Sequence, residues 1–87
     1  MKNISVLVSG GGTNLQAVID NVENGFIENA KIVQVIASEE DAYALTRAKN
    51  HNIKGVYIGK KNYPVMSERT DAIIRALDEE KTDLVIL

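Results

Sequence analysis

Apolar residues along this chain alternate between short continuous runs and runs spaced at three and four residues. The continuous runs predict four buried strands, over residues 4–8, 31–37, 53–58 and 83–87. The spaced runs predict helices over residues 14–24 and 41–50, and a third helix that Pro64 begins or immediately precedes. The order β-α-β-α-β-α-β predicts right-handed crossovers and an α/β fold with a parallel sheet, the first half of a doubly wound domain.

The helical spacing also predicts which side chains pack and where the helices begin. The apolar positions of the three helices are Leu15, Val18, Ile19 and Val22; Tyr43, Leu45 and Ala48; and Met66, Ile73, Ile74 and Leu77. Gly25 is predicted to end the first helix. Ser38 followed by Asp41 resembles a capping box with the shorter acid, and residues 67–70 offer a local cap for the third helix.

Composition excludes several classes of function. The chain has 87 residues, which fits one small domain, and no Cys, which excludes disulfides, thiolate catalysis and zinc–thiolate sites. Ten Lys and Arg against twelve Asp and Glu give a net charge of −2, so no nucleic-acid partner is expected, and Lys60 and Lys61 are interpreted as solvated surface. Neither a membrane-spanning run nor a signal peptide is found, which together with the absence of Cys fits a cytoplasmic protein.

The last strand predicts something about the extent of the protein. The sequence stops on residues 84–87, an apolar run with no turn, charge or cap after it. A buried parallel strand is expected to deliver its carboxyl end into the crevice where open α/β sheets place their ligands. We therefore expect the 87 residues to be a fragment of a longer protein.

The strongest chemical signal is the glycine-rich segment between the first strand and the first helix, Ser9-Gly10-Gly11-Gly12-Thr13-Asn14-Leu15-Gln16. Glycines allow an anion to approach the backbone closely. The helix that follows presents unpaired N–H groups and the positive end of its dipole, which together suit a phosphate. Thr13 and Asn14 add side-chain donors. The segment predicts a phosphate site.

Two other interpretations of this segment stay open on the residues alone. One is a nucleotide- or dinucleotide-binding module, although Leu15 stands where G-x-G-x-x-G has its third glycine. Its ribose-binding acid would be Glu39 or Glu40, which lie 27 and 28 residues past Gly12 rather than about 20. The other is a tight turn with Thr13 or Asn14 as helix N-cap and no ligand.

Three stretches of the sequence resemble one enzyme family. They are residues 6–20, which contain the S-G-x-G-[ST]-N-L-Q block, residues 41–48 and residues 82–87. These stretches are similar to the opening of the phosphoribosylglycinamide formyltransferases (glycinamide ribonucleotide transformylases). The resemblance covers essentially all of this chain but only about the first half of a typical member of the family.

The resemblance implies a Rossmann-like N-terminal half of a formyltransferase fold over residues 1–87. It implies that Gly12, Thr13 and Asn14 bind the phosphate of 5-phosphoribosylglycinamide. The implied reaction is transfer of a formyl group from 10-formyltetrahydrofolate to the amine of that substrate, a step of de novo purine (IMP) biosynthesis. No metal is expected.

The same resemblance implies that residues 1–87 contain no catalytic residue. Family members carry a catalytic Asn, His and Asp, and most folate contacts, beyond the last strand of this chain. His51 falls outside the family motifs and is interpreted as an ordinary surface side chain. Met66 stands where many members have an Arg that reaches the folate, with Arg69 one turn on, so the sequence leaves open whether either of them contacts folate. The 87 residues alone are expected to be inactive. The exposed end of the last strand and an uncovered sheet face favour self-association into a homo-oligomer.

Overall fold

The computed structural model of the chain describes residues 1–9 and 13–87, and of Thr13 the backbone alone. The strands are β1 (Lys2–Val8), β2 (Ala30–Ala37), β3 (Lys54–Tyr57) and β4 (Leu84–Ile86). The helices are α1 (Thr13–Glu23), α2 (Tyr43–Asn50) and α3 (Met66–Glu79). The predicted order is confirmed, and the boundaries lie within two residues of those that the sequence predicts.

The four strands form one parallel sheet in the order β3-β2-β1-β4. The chain moves outward from β1 through β2 to β3 and then returns to place β4 on the other side of β1. This return is the reversal of strand order that defines a doubly wound sheet. The predicted α/β class is therefore confirmed, and β1 lies in the interior of the sheet.

Helices cover the two faces of the sheet because successive strand residues point to opposite sides. On the face that carries α1 and α2, the described part of the chain forms a core of buried residues: Ile4, Val6, Leu15, Ile19, Val35, Ala37, Ala42, Ala44 and Ala48. The face that carries α3 has a smaller buried cluster: Ile36, Ile58 and Ala72. The helical face predicted for α1 is confirmed, since Leu15 and Ile19 are fully buried and Val18 packs against them.

Both predicted side-chain caps are wrong. The N-cap of α2 is Ala42, with no side-chain cap hydrogen bond, and the Ala42 N–H donates to the Glu39 carbonyl at 3.3 Å. This turn keeps the chain out of helical geometry until Tyr43, so Ser38 lies too far upstream to reach the helix. The N-cap of α3 is Val65, again without a side-chain cap, because residues 67–70 already lie inside the helix.

The apolar face predicted for α3 is also partly wrong. Ile73 and Leu77 pack against the sheet as predicted, but the buried position of this helix is Ala72. Met66 is 71% exposed and Ile74 is 50% exposed. Both side chains lie off the helical stripe that Ala72, Ile73 and Leu77 define.

Tyr43 also departs from its predicted packing role in α2, since it is 55% exposed while the buried positions of that helix are Ala44 and Ala48. No helix in the described part of the chain is long and apolar enough to cross a membrane.

Candidate functional site

The carboxyl end of β1 lies beside the point where the strand order reverses. On one side of β1, the Ser38 N–H donates to the Val8 carbonyl at 3.0 Å, which ties the end of β2 to the end of β1. On the other side, β4 pairs with β1 through Ile4, Ser5 and Val6. Ligands of open α/β sheets bind in the crevice at such a reversal, outside the carboxyl ends of the strands. The segment that joins β1 to α1 therefore begins at the position where this fold class places its ligand.

The predicted phosphate-binding residues are described to different extents. Gly12 lies outside the described residues, and the Thr13 backbone begins α1. Asn14 lies in the first turn of α1 with an exposed side chain. Leu15 is fully buried in the core beneath this turn, so the position that carries the third glycine in a dinucleotide fingerprint here anchors the helix to the sheet. An exposed donor and a buried anchor thus follow one another in the first turn.

The electrostatics of this helix end favour an anion. The first turn of α1 contains no acidic residue, so no side-chain charge neutralises the positive end of the dipole there. Asn14 offers an amide donor beside the backbone N–H groups of the same turn, which have no partner within the helix. A phosphate or carboxylate placed here would gain hydrogen bonds and favourable charge together.

Sequence reasoning missed a polar network that joins this helix end to α2. Arg47 donates from Nη1 to Gln16 Oε1 at 3.0 Å, and Gln16 donates from Nε2 to Asp20 Oδ1 at 3.0 Å. The Arg47 guanidinium also lies over the Tyr43 ring, 4.9 Å from its centroid. The four-residue spacing of Gln16 from Asp20 and of Tyr43 from Arg47 is a visible signal for two of these contacts. The contact between the helices depends on how α2 packs, which the sequence alone does not specify.

A second concave region lies at the carboxyl ends of β2 and β3. It is an open cavity of about 580 Å³ lined by Ser38, Glu39, Glu40, Asp41, Tyr57, Lys60, Lys61 and Arg69. Lys61 Nζ lies 3.0 Å from Glu40 Oε2, and this hydrogen bond together with the carboxylate charge raises the pKa of Lys61 above its ordinary value. Glu40, one of the two acids considered for a ribose, is thus held by a lysine.

Gly59 is the residue that brings the two sides of this cavity together. A Cβ at this position would clash with the Ser38 carbonyl oxygen, so only glycine fits without a shift of the backbone. The Gly59 N–H in turn donates to Asn62 Oδ1 at 3.0 Å. The loop after β3 is therefore fixed closely against the end of β2.

Three further candidate side chains, His51, Arg69 and Met66, differ in their surroundings. His51 Nδ1 lies 2.8 Å from Glu23 Oε2, so this partly exposed histidine joins the ends of α2 and α1. Arg69 donates from Nη1 to the Tyr63 carbonyl at 3.0 Å, whereas Met66 points into solvent. Within residues 1–9 and 13–87, no group of three or more His, Asp or Glu side chains could hold a metal ion.

Comparisons with known proteins agree with this fold. The formyl transferase family model matches residues 2–87. Phosphoribosylglycinamide formyltransferase of Haemophilus influenzae is 45% identical over 87 residues, which are all of this chain and 41% of that protein. The enzyme of the same name from Saccharomyces cerevisiae is 54% identical over 54 residues, 61% of this chain and 25% of that protein.

Solved structures give the same result. Glycinamide ribonucleotide transformylase 1 from Symbiobacterium toebii superposes with a TM-score of 0.90 at 35% identity, over 98% of this chain and 40% of that one. Phosphoribosylglycinamide formyltransferase from Coxiella burnetii superposes with a TM-score of 0.88 at 32% identity, over 97% of this chain and 39% of that one. The chain thus spans about two fifths of the length of the relatives that match it end to end. It belongs to the formyl transferase family.

Proposed function

We propose that the protein carrying this chain transfers a formyl group from 10-formyltetrahydrofolate to the amine of 5-phosphoribosylglycinamide, in the cytoplasm, as a step of de novo purine biosynthesis. In this proposal, residues 1–87 are the N-terminal, substrate-phosphate half of the formyltransferase domain. The observation that carries it is the strand–glycine-segment–helix unit at the reversal of the sheet, in a chain 45% identical over all 87 residues to an enzyme named for this reaction.

Gly12, Thr13 and Asn14 bind the substrate phosphate in this proposal. Support comes from the exposed Asn14 side chain, the absence of acid in the first turn of α1 and the buried Leu15 that anchors that turn. Binding energy from a phosphate remote from the reacting amine helps to orient that amine for attack on the formyl carbon. A rigid helix end is suited to this task because it costs little ordering entropy when the ligand binds.

The 87 residues supply no general base in this proposal and are inactive by themselves. His51, the single histidine, is engaged with Glu23 at the far end of α1 from the phosphate site. The formyl donor is a folate whose binding site is formed mostly by residues outside this chain. Formyl transfer by the isolated 87-residue chain would contradict this part of the proposal.

Binding of 5-phosphoribosylglycinamide tests the proposed site directly. Asn14→Ala is expected to raise the Kd of the full-length protein for this ligand by roughly ten- to a hundredfold, because a hydrogen bond to a charged group is lost. Asn21→Ala is the matched control, since Asn21 is an exposed asparagine on the same helix. Isothermal titration of the three proteins gives the Kd values. Equal Kd values for wild type and Asn14→Ala would contradict the assignment of Asn14.

The same titration separates the proposal from a dinucleotide-binding module. A module of that kind would bind NAD and ignore 5-phosphoribosylglycinamide. The Lys61–Glu40 contact weighs against it, because an acid held by a lysine is less available to ribose hydroxyls. NAD binding that Glu40→Gln weakens would favour the dinucleotide-binding module.

A further inference from the structure

A cation lies close to the positive end of α1. Arg47 extends from α2, and its Nη1 atom donates to Gln16 Oε1, on the residue that completes the first turn of α1. The Arg47 guanidinium lies over the ring of Tyr43, which is one helical turn before Arg47 on α2. These two contacts fix the charged group against the first turn of α1 rather than leaving it in solvent.

The amide of Gln16 is held from both of its ends. Its Nε2 atom donates to Asp20 Oδ1, one turn along α1, and its Oε1 atom accepts from Arg47. Because a carboxylate can only accept and a guanidinium can only donate, these partners determine which end of the amide carries the oxygen. Asp20, Gln16 and Arg47 therefore form an ordered chain that joins α1 to α2.

The charges around this end of α1 suit an anion. The positive end of a helix dipole attracts negative charge to the first turn. In α1 the first turn has no acid, and the neighbouring helix brings an arginine to it. An anion at the same end would be attracted both by the dipole and by the guanidinium.

We propose that Arg47 is a positioning residue of the substrate-phosphate site. Through Gln16 it holds the first turn of α1 in the orientation that presents its N–H groups to the phosphate, and its charge favours the phosphate dianion of the ribonucleotide over uncharged analogues. This inference rests on the proposed function for the identity of the ligand. The network among Gln16, Asp20, Arg47 and Tyr43 supplies its physical basis.

The test compares two variants of Arg47 with a matched arginine elsewhere in the full-length protein. Arg47→Met removes the charge but keeps the length of the side chain, and Arg47→Lys keeps the charge but loses the planar donor group. Arg75→Met is the control, because Arg75 is exposed on α3, on the other face of the sheet. The readouts are KM for 5-phosphoribosylglycinamide, KM for 10-formyltetrahydrofolate and the Tm of each variant.

Arg47→Met is expected to raise KM for the ribonucleotide roughly tenfold and to leave KM for the formyl donor within about twofold. Arg47→Lys is expected to fall between wild type and Arg47→Met, and Arg75→Met to match wild type. An unchanged ribonucleotide KM would overturn the inference. So would an equal rise in both KM values accompanied by a lower Tm, because that pattern indicates a structural role only. If Arg47→Met does not fold, Arg47→Lys decides the question, with a rise of at least about threefold expected for the ribonucleotide KM alone.

A second measurement separates failure of this inference from failure of the proposed function. If the wild-type protein forms no formylated product, the proposed function fails, and titration with inorganic phosphate then tests the site itself. Amide resonances of residues 13–16 are expected to shift with phosphate in the wild type and to shift less in Arg47→Met. Equal shifts in the two proteins, or no shifts in either, would overturn the role of Arg47.

Discussion

The two faces of the sheet are built by different means. On the face that carries α1 and α2, nine of the residues that the structure describes are apolar, buried and packed against one another. On the face that carries α3, three of the described apolar residues are buried, and a network of polar side chains lies beside them. In that network Gln34 Nε2 donates to Ser5 Oγ at 3.0 Å and to the Ala76 carbonyl at 2.9 Å, and Ser5 Oγ lies 2.7 Å from Thr82 Oγ1.

The polar contacts continue to the junction between α3 and β4. The Asn3 N–H donates to Asp83 Oδ2 at 2.8 Å, and Asn3 Nδ2 donates to the Lys81 carbonyl at 3.0 Å. Apolar packing is tolerant of small displacements, whereas hydrogen bonds fix direction and spacing. The α1/α2 face therefore supplies most of the stability under the proposed site, and the α3 face sets the position of α3 and β4 relative to β1.

The largest expected effect comes from a cavity in the α1/α2 face. Ile19→Ala is expected to lower the free energy of unfolding by about 2–5 kcal/mol, because Ile19 is fully buried and its loss leaves a void in the larger core. Ile74→Ala is the matched control on α3, where the isoleucine is 50% exposed, and a change within about 0.5 kcal/mol is expected. Urea unfolding measures both. Similar losses in the two variants would contradict the assignment of the main core to the α1/α2 face.

The next largest effect is expected from a substitution in the polar network on the α3 face. Gln34→Ala leaves the Ser5 hydroxyl and the Ala76 carbonyl without their buried donor, and a loss of about 1–3 kcal/mol is expected. Among the described residues, Gln34 Oε1 is itself a buried atom without a hydrogen-bond partner, so part of the cost of burying this amide disappears with it. Urea unfolding measures the loss. A variant more stable than wild type would mean that the polar network on the α3 face fixes the position of α3 without adding to stability.

The apolar elements of this fold are predictable from the sequence, whereas its polar contacts are not. Strands and helices are predicted within two residues because their apolar periodicities are unambiguous, and the packing of Leu15 and Ile19 follows from spacing alone. Gln34 interrupts an apolar strand, and no local signal points to its partners 29 and 42 residues away. The predictions of the two helix caps are wrong because local propensity does not determine the residue at which a helix begins after a loop.

The candidate site divides in the same way. The glycine-rich segment is visible as a motif, and the sheet order places its start at the reversal between β1 and β4. The role of Gly12, Thr13 and Asn14 remains a prediction. Arg47 is not predicted at all, since a contact between two helices is determined by tertiary packing.

Partly exposed polar pairs on both faces are expected to have smaller effects. Lys54 Nζ lies 3.2 Å from Glu80 Oε2 beside α3, and His51 Nδ1 lies 2.8 Å from Glu23 Oε2 beside α1 and α2. Glu80→Gln and Glu23→Gln are each expected to change the free energy of unfolding by less than about 1 kcal/mol, because partly exposed pairs are weak. Added salt should reduce the difference between Glu80→Gln and wild type. An effect of Glu80→Gln as large as that of Gln34→Ala would mean that ionic contacts, rather than buried polar ones, hold α3.

The smallest effect belongs to the Lys61–Glu40 pair, which lies at the carboxyl edge and outside both faces. The hydrogen bond to Glu40 raises the pKa of Lys61 above its ordinary value of 10.5, so the pair stabilises the folded state below that pH and the stabilisation is lost as pH rises through the raised pKa. Glu40→Gln should therefore lower Tm slightly at neutral pH and match wild type in strong alkali, while Glu39→Gln should show no such convergence. Thermal unfolding at neutral and alkaline pH makes the comparison. A Tm difference that persists after Lys61 has lost its proton would mean that Glu40 stabilises the loop by packing or by hydrogen bonds to other groups. In that case Lys61 would not keep the Glu40 carboxylate from binding a ligand in the cavity.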